Sequence, residues 1–164
     1  MKSSIDMFRK TALVLLCPVA LTLVVAPIAS ADQPDPVQVE TEKPFGPVPG
    51  EFEASGAITD SGEFLNTRRI SSAIPSPTHL NGHLTQVYVG ENGSFTMRVQ
   101  VKETVTEDPN VFTSSGRWVI TKGTGDYQGI HGTGTVSGTA DDNTGVIDRT
   151  YTGNVHQTPR RPAQ

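Results

Sequence analysis

Residues 94–105 constrain this chain more than any other stretch. Phe95, Met97, Val99 and Val101 alternate with Thr96, Arg98, Gln100 and Lys102. A period of two puts one set on each face of a β-strand, whereas a helix would scatter both sets around its axis. The same alternation recurs in Phe52, Ala54, Gly56 and Ile58, in Trp118 and Ile120, and in Ile147, Arg149, Tyr151 and Gly153 against Asp148, Thr150 and Thr152. Between these runs lie Thr59-Asp60-Ser61-Gly62, Asn81-Gly82, Gly90-Glu91-Asn92-Gly93 and Asp141-Asp142-Asn143-Thr144-Gly145. Such clusters supply the positive-φ residues of hairpin turns. No window holds a helical period over three turns. The pattern predicts an all-β fold of seven or eight strands: seven near 51–58, 63–72, 79–88, 94–105, 112–121, 132–140 and 146–155, or eight where 37–40 is counted as well. Sequential antiparallel neighbours with short connections make an up-and-down barrel or a sandwich, and glycine-rich late strands, which coil tightly, favour the barrel.

The rest of the chain divides by composition. Lys2, Arg9 and Lys10 precede an apolar run from Thr11 to Ala26 that ends in Ala29-Ser30-Ala31, the pattern of a signal peptide over 1–31 cleaved after Ala31. This predicts a secreted protein, extracellular or in the cell envelope, with no membrane span after cleavage. The one Cys, Cys17, lies in that leader, so the exported part would hold no disulfide and no thiolate. Residues 32–50 contain Pro34, Pro36, Pro44, Pro47 and Pro49 and read as a Pro-rich linker. The barrel domain is expected over 51–155, and the Pro- and Arg-bearing segment 156–164 as a disordered tail.

Several chemistries lack support. Three of the 13 basic groups and one of the 17 acidic groups lie in the leader, which leaves a net charge of −6. An acidic balance argues against nucleic acid as a partner. Gly123, Gly125 and Gly129 follow neither phosphate-loop nor dinucleotide spacing, and no helix follows them. His79 and His83 flank Asn81-Gly82, a turn signal, and no glutamate follows His79, so no metal site is predicted. There is no G-x-S-x-G elbow for a hydrolase nucleophile.

One run is more specific. Gly116-Arg117-Trp118-Val119-Ile120-Thr121-Lys122-Gly123-Thr124-Gly125-Asp126-Tyr127-Gln128-Gly129-Ile130-His131-Gly132-Thr133-Gly134 reads as strand, glycine-rich reversal and strand. It resembles the allene oxide cyclase barrel-like superfamily, which includes the dirigent proteins. Phe52-x-Ala54-Ser55-Gly56, Gly93-Ser94-Phe95-Thr96-Met97-Arg98 and Asp148-Arg149-Thr150-Tyr151-Thr152-Gly153 are similar in kind to strands of its secreted bacterial members. The resemblance covers roughly 51–155 and implies an antiparallel eight-stranded barrel. Plant members form dimers or trimers and guide cyclisation or radical coupling of apolar substrates without a cofactor. No catalytic residue carries over position by position, and a shared fold does not transfer chemistry.

The residues singled out for chemistry are Arg149 and Tyr151, which share parity with Ile147 and Gly153, and the first-hairpin acids Glu53, Asp60 and Glu63. Arg149 would hold a carboxylate and Tyr151 would donate to a polarised oxygen if that face is inside; if it is outside, both are surface residues. A mouth carboxylate such as Glu63 would act as a base or steer a cation; otherwise it is a solvated turn acid. Tyr127 would reach over a barrel mouth or plug a core end. Phe52, Phe95, Met97, Trp118 and Tyr151 would line a cavity or fill a solid core. Three functions follow: cofactor-free binding of a small apolar or amphipathic molecule, an isomerase or cyclase, and a structural or interaction protein with a filled barrel, possible as a homo-oligomer.

Overall fold

Alternation of apolar with polar residues over 7 to 15 positions at a time produces eight strands in the computed structural model, which describes residues 34–72 and 79–158, the side chains of 68–72 and 79 excepted. They are β1 (Asp35–Pro44), β2 (Gly50–Gly56), β3 (Asp60–Ser72), β4 (His79–Gly90), β5 (Gly93–Val105), β6 (Val111–Gly125), β7 (Ile130–Asp141) and β8 (Val146–Gln157). Each pairs antiparallel with its neighbours in sequence, and β8 returns to β1, so the sheet is a closed up-and-down barrel. The all-β barrel expected from the alternation is therefore the observed fold.

The expected linker over 32–50 is corrected here. From Asp35 to Pro44 the chain is β1, paired with both β2 and β8. Val37, Val39, Thr41 and Lys43 are buried in alternation. Pro36 and Pro44 sit near the two ends of the strand, where a missing amide costs little. Likewise the expected tail begins inside β8, since His156 and Gln157 still pair with β7. The signal peptide expected over 1–31 and residues 159–164 lie outside the described residues.

Two register shifts interrupt the alternation. One extra residue, Thr67, stands on β3 between Asn66 and Arg68, and one, Thr121, on β6 between Ile120 and Lys122. Each inserted residue bends its strand, and on β6 it turns the pattern over. The reversal between β6 and β7 uses Gly125 (φ 61°) and Gly129 (φ 78°), a region other residues enter at a cost.

Glycines decide what fits inside. Register places Val99, Trp118, Gly134 and Gly153 in one row across β5 to β8. A Cβ at Gly134 or Gly153 would stand 2.7 Å or 2.6 Å from the indole of Trp118. The ring therefore lies across two bare backbones, with its Nε1 donating to Thr135 O at 3.0 Å.

The outer surface is uneven in charge. Glu40 stands opposite Glu53, Glu42 opposite Glu51 and Asp148, and Glu51 opposite Glu63, all exposed. Like charges directly opposite one another destabilise a sheet. Glu53→Lys is expected to raise the urea midpoint at low ionic strength, with the gain shrinking in high salt as screening shortens the interaction. An unchanged midpoint at low salt would show that these acids are too well solvated to repel.

Candidate functional site: an open cup in a half-filled barrel

The interior is two unlike halves. Towards the end formed by the 57–59, 91–92 and 126–129 turns it is solid. Phe64, Tyr88 and Phe95 stack with nearly parallel planes and centroids 5.2 and 4.7 Å apart. Phe52 meets both Tyr88 and Phe95 edge-on, and Tyr127 meets Phe95 edge-on from the turn side. Aromatic rings prefer these geometries and exclude water over large areas.

Asp60 fastens that end. Its carboxylate accepts the backbone N–H groups of Ser61 (2.9 Å), Glu91 (3.0 Å) and Asn92 (3.2 Å) and the Tyr127 hydroxyl (2.7 Å). Burial pushes its pKa up, but the Tyr127 and backbone hydrogen bonds outweigh this and hold it below the usual carboxylate value. Burial, with the hydrogen bond to Asp60 adding to it, pushes the Tyr127 hydroxyl up to about 12. A carboxylate saturated with four donors is a clasp between the β2–β3, β4–β5 and β6–β7 turns.

A polar layer closes the solid half. The hydroxyls of Tyr88 (3.1 Å) and Tyr151 (2.9 Å) both donate to Gln86 Oε1, and Gln86 Nε2 donates to Asn66 Oδ1 at 3.1 Å. Burial raises the Tyr88 hydroxyl well above its ordinary pKa, so it stays a donor.

Beyond this layer the barrel is open. A cavity of about 310 Å³ is lined by Asn66, Leu84, Val101, Glu103, Phe112, Ala140, Ile147 and Arg149, with Phe45, Gly46, Leu80, Asn81, Gly82 and Asp142 also bordering it. The volume is at the small end of the range for ligand sites. The wall mixes apolar side chains with Asn66, Asn81 and Asp142 and carries one ion pair: Arg149 Nη2 donates to Glu103 Oε1 at 2.6 Å, with the side chains 6 % and 14 % exposed.

Register explains how β8 reaches β5. Glu103, Ser114, Gly138 and Arg149 form a row across β5, β6, β7 and β8. Arg149 extends over Gly138, where a Cβ would stand 2.9 Å from its Cγ, and past Ser114 Oγ, 3.5 Å from its Nε. Two small residues in the row leave the path along which the guanidinium lies. Nearby, the Lys43 ammonium is buried and donates to the carbonyls of Pro44 (2.8 Å) and Gly46 (2.7 Å), fixing the β1–β2 loop at the rim.

Of the residues singled out from sequence, Arg149 alone lines the cup. Tyr151 is inside but packs in the polar layer, with its hydroxyl engaged by Gln86. Phe95 and Trp118 belong to the packed interior rather than to the cavity wall, because stacking and the glycine row enclose them. Tyr127 caps the solid end. Glu63 is on the outer face among the acids of β1 and β2, because its parity is opposite to that of Phe64. Glu103 was missed; its parity with Val101 and Val99 on β5 was the available signal. Among the described residues no group of three or more His, Cys, Asp and Glu is placed to hold a metal ion. His83 is exposed on the outer face, and the His79 side chain is outside the described residues.

The cup can desolvate an apolar chain against Leu84, Val101, Phe112, Ala140 and Ile147 while a guanidinium and a carboxylate meet its polar end. The chain matches no protein-family model, no curated protein and no solved structure.

Proposed function

We propose that this chain is an exported binding protein that takes a small apolar or amphipathic molecule into the open half of its barrel without a cofactor, as the resemblance to allene oxide cyclase-like and dirigent-like proteins implies. The observation that carries the reading is the contrast between the two halves. A barrel serving only as a scaffold gains by filling its interior throughout, since close packing stabilises. Here the aromatic packing stops at the Gln86 layer, and an open cup follows whose wall holds Leu84, Val101, Phe112, Ala140 and Ile147 beside an ion pair.

The test is native mass spectrometry of the protein recovered from culture supernatant, set against its denatured mass. A native mass above an integer number of chains is expected, from retained ligand. Ala140→Phe puts a ring into the cup and is expected to reduce that retention at least about tenfold, which at 1.4 kcal/mol is well within the worth of a buried side-chain contact. Clean integer masses for the wild type, together with no binding of 1-anilinonaphthalene-8-sulfonate, would return the protein to the filled-scaffold class.

The Arg149–Glu103 pair also favours a second reading, an isomerase or cyclase. A guanidinium can polarise a carbonyl oxygen while the adjacent carboxylate accepts a proton. Conversion of the retained ligand on incubation, abolished by Glu103→Gln, would separate the enzyme from the binder.

A further inference from the structure

The Arg149–Glu103 pair does more than mark the cup as polar at one point; it restricts the head group that can enter. Arg149 donates through Nη2 to Glu103 and, at a long 3.5 Å, through Nε to Ser114. Glu103 accepts through Oε1. Among the described residues no buried side-chain nitrogen or oxygen lacks a hydrogen-bond partner. Arg149 Nη1 and Glu103 Oε2 have none among the described residues, so neither atom is fully buried, and both residues border the cup. The cup thus presents an N–H donor and a carboxylate acceptor from one ion pair whose charges cancel, with Asp142 a further carboxylate on its border and the Lys43 ammonium held by the carbonyls of Pro44 and Gly46 at the rim.

From this juxtaposition we infer that the ligand is an uncharged carboxamide on an apolar chain, its C=O accepting from Arg149 and its N–H donating to Glu103. The inference rests on the binding function proposed above. A carboxylate would meet Arg149 but stand against Glu103, and an ammonium would meet Glu103 but stand against Arg149. In a part-buried wall a further charge beside that neutral pair loses solvation and gains one attraction at the expense of one repulsion. A carboxamide satisfies both exposed edges, leaves the ion pair intact and brings no charge out of water. Leu84, Val101, Phe112, Ala140 and Ile147 then take the chain.

Four compounds of one chain length test this by isothermal titration: octanamide, octanoate, octylamine and octanol. Near neutral pH octanamide is expected to bind at least about tenfold more tightly than octanoate or octylamine, since like charges placed side by side across a dry contact are strongly penalised. Octanoate is expected to gain as the pH is lowered through its own titration, because the undissociated acid has the same acceptor and donor. Glu103→Gln leaves Arg149 uncompensated and should invert the order, with octanoate about tenfold ahead of octanamide. If that variant does not fold by far-UV circular dichroism, the wild-type ranking and its pH dependence decide alone. Equal affinities for octanamide and octanoate, or a preference for octylamine, would overturn the head-group assignment. Binding of octanol with no gain from the amide would overturn it while leaving the cup a binding site. Binding of none of the four would remove both.

Discussion

Trp118→Ala is expected to cost about 3–5 kcal/mol of unfolding free energy, the range for deleting a large buried aromatic. Domains of this size have only about 5–15 kcal/mol in all, so the variant should sit near its folding limit. The loss is expected at the upper part of the range because the site has no means of collapse. The indole rests on Gly134 and Gly153, which bring no side chain into the hole, and the strands that carry them are held by ladders on both sides. Thr135 O also loses its indole donor. The converse substitution probes the same row. Gly134→Val drives a Cβ against Thr152 O and to 2.7 Å from the indole, so the strand or the ring must move. Overpacking of this kind costs about 1–3 kcal/mol. Urea unfolding followed by far-UV circular dichroism reads both. A loss below about 1 kcal/mol in Trp118→Ala would mean that the glycine row is not shaped around the ring.

Asp60→Ala is expected to lose about 2–3 kcal/mol, although Asp60 is a single acid at a turn. Hydrogen bonds to a charged acceptor are worth about 1.5–3 kcal/mol each when dry, and here three of the four donors belong to exposed residues that water can serve instead. The pH dependence carries the same signature. Asp60 is held below its ordinary value of 3.8 in the folded protein. Its contribution is therefore fully present above the unfolded pKa and is lost as pH falls through the lower folded one. Tyr127 acts at the other end of the scale. Its hydroxyl is raised from 10.0 to about 12, so its contribution is complete below 10 and lost as pH rises towards 12. Thermal unfolding across pH should show Asp60→Asn with a weaker acid limb than wild type and Tyr127→Phe with a weaker alkaline limb. Limbs that superimpose on the wild type would mean that the clasp does not couple protonation to folding.

Much of the fold was legible because period-two alternation is a local property. Phe95, Met97, Val99 and Val101 announced β5, and the glycines at 125 and 129 announced the reversal they make. β1 was obscured by prolines at its edges, although Val37, Val39 and Thr41 already alternated. The extra residues at Thr67 and Thr121 gave no signal, since a bulge depends on the partner strand as much as on its own. The site was legible only by halves. Parity put Arg149 on one face with Ile147 and Tyr151 without saying which face is inside, and its partner Glu103 is 46 residues away and becomes its neighbour only through the β5–β8 row. Asp60 likewise reads as a solvated turn acid until Tyr127, 67 residues later, folds over it.

The even number of strands has a practical consequence for handling the molecule. Asp35 and Gln157, the outer ends of β1 and β8, leave the barrel at the end opposite the cup, because eight antiparallel passes return the chain to the side where it began. Asp35 and Val155 are register partners there. A tether, a fusion or an immobilising tag joined directly to either strand end therefore starts on the side away from the opening. Joining the two ends with a short linker and cutting the chain in the 142–145 turn would move the new termini to the rim, the one place where an appended peptide competes with whatever enters.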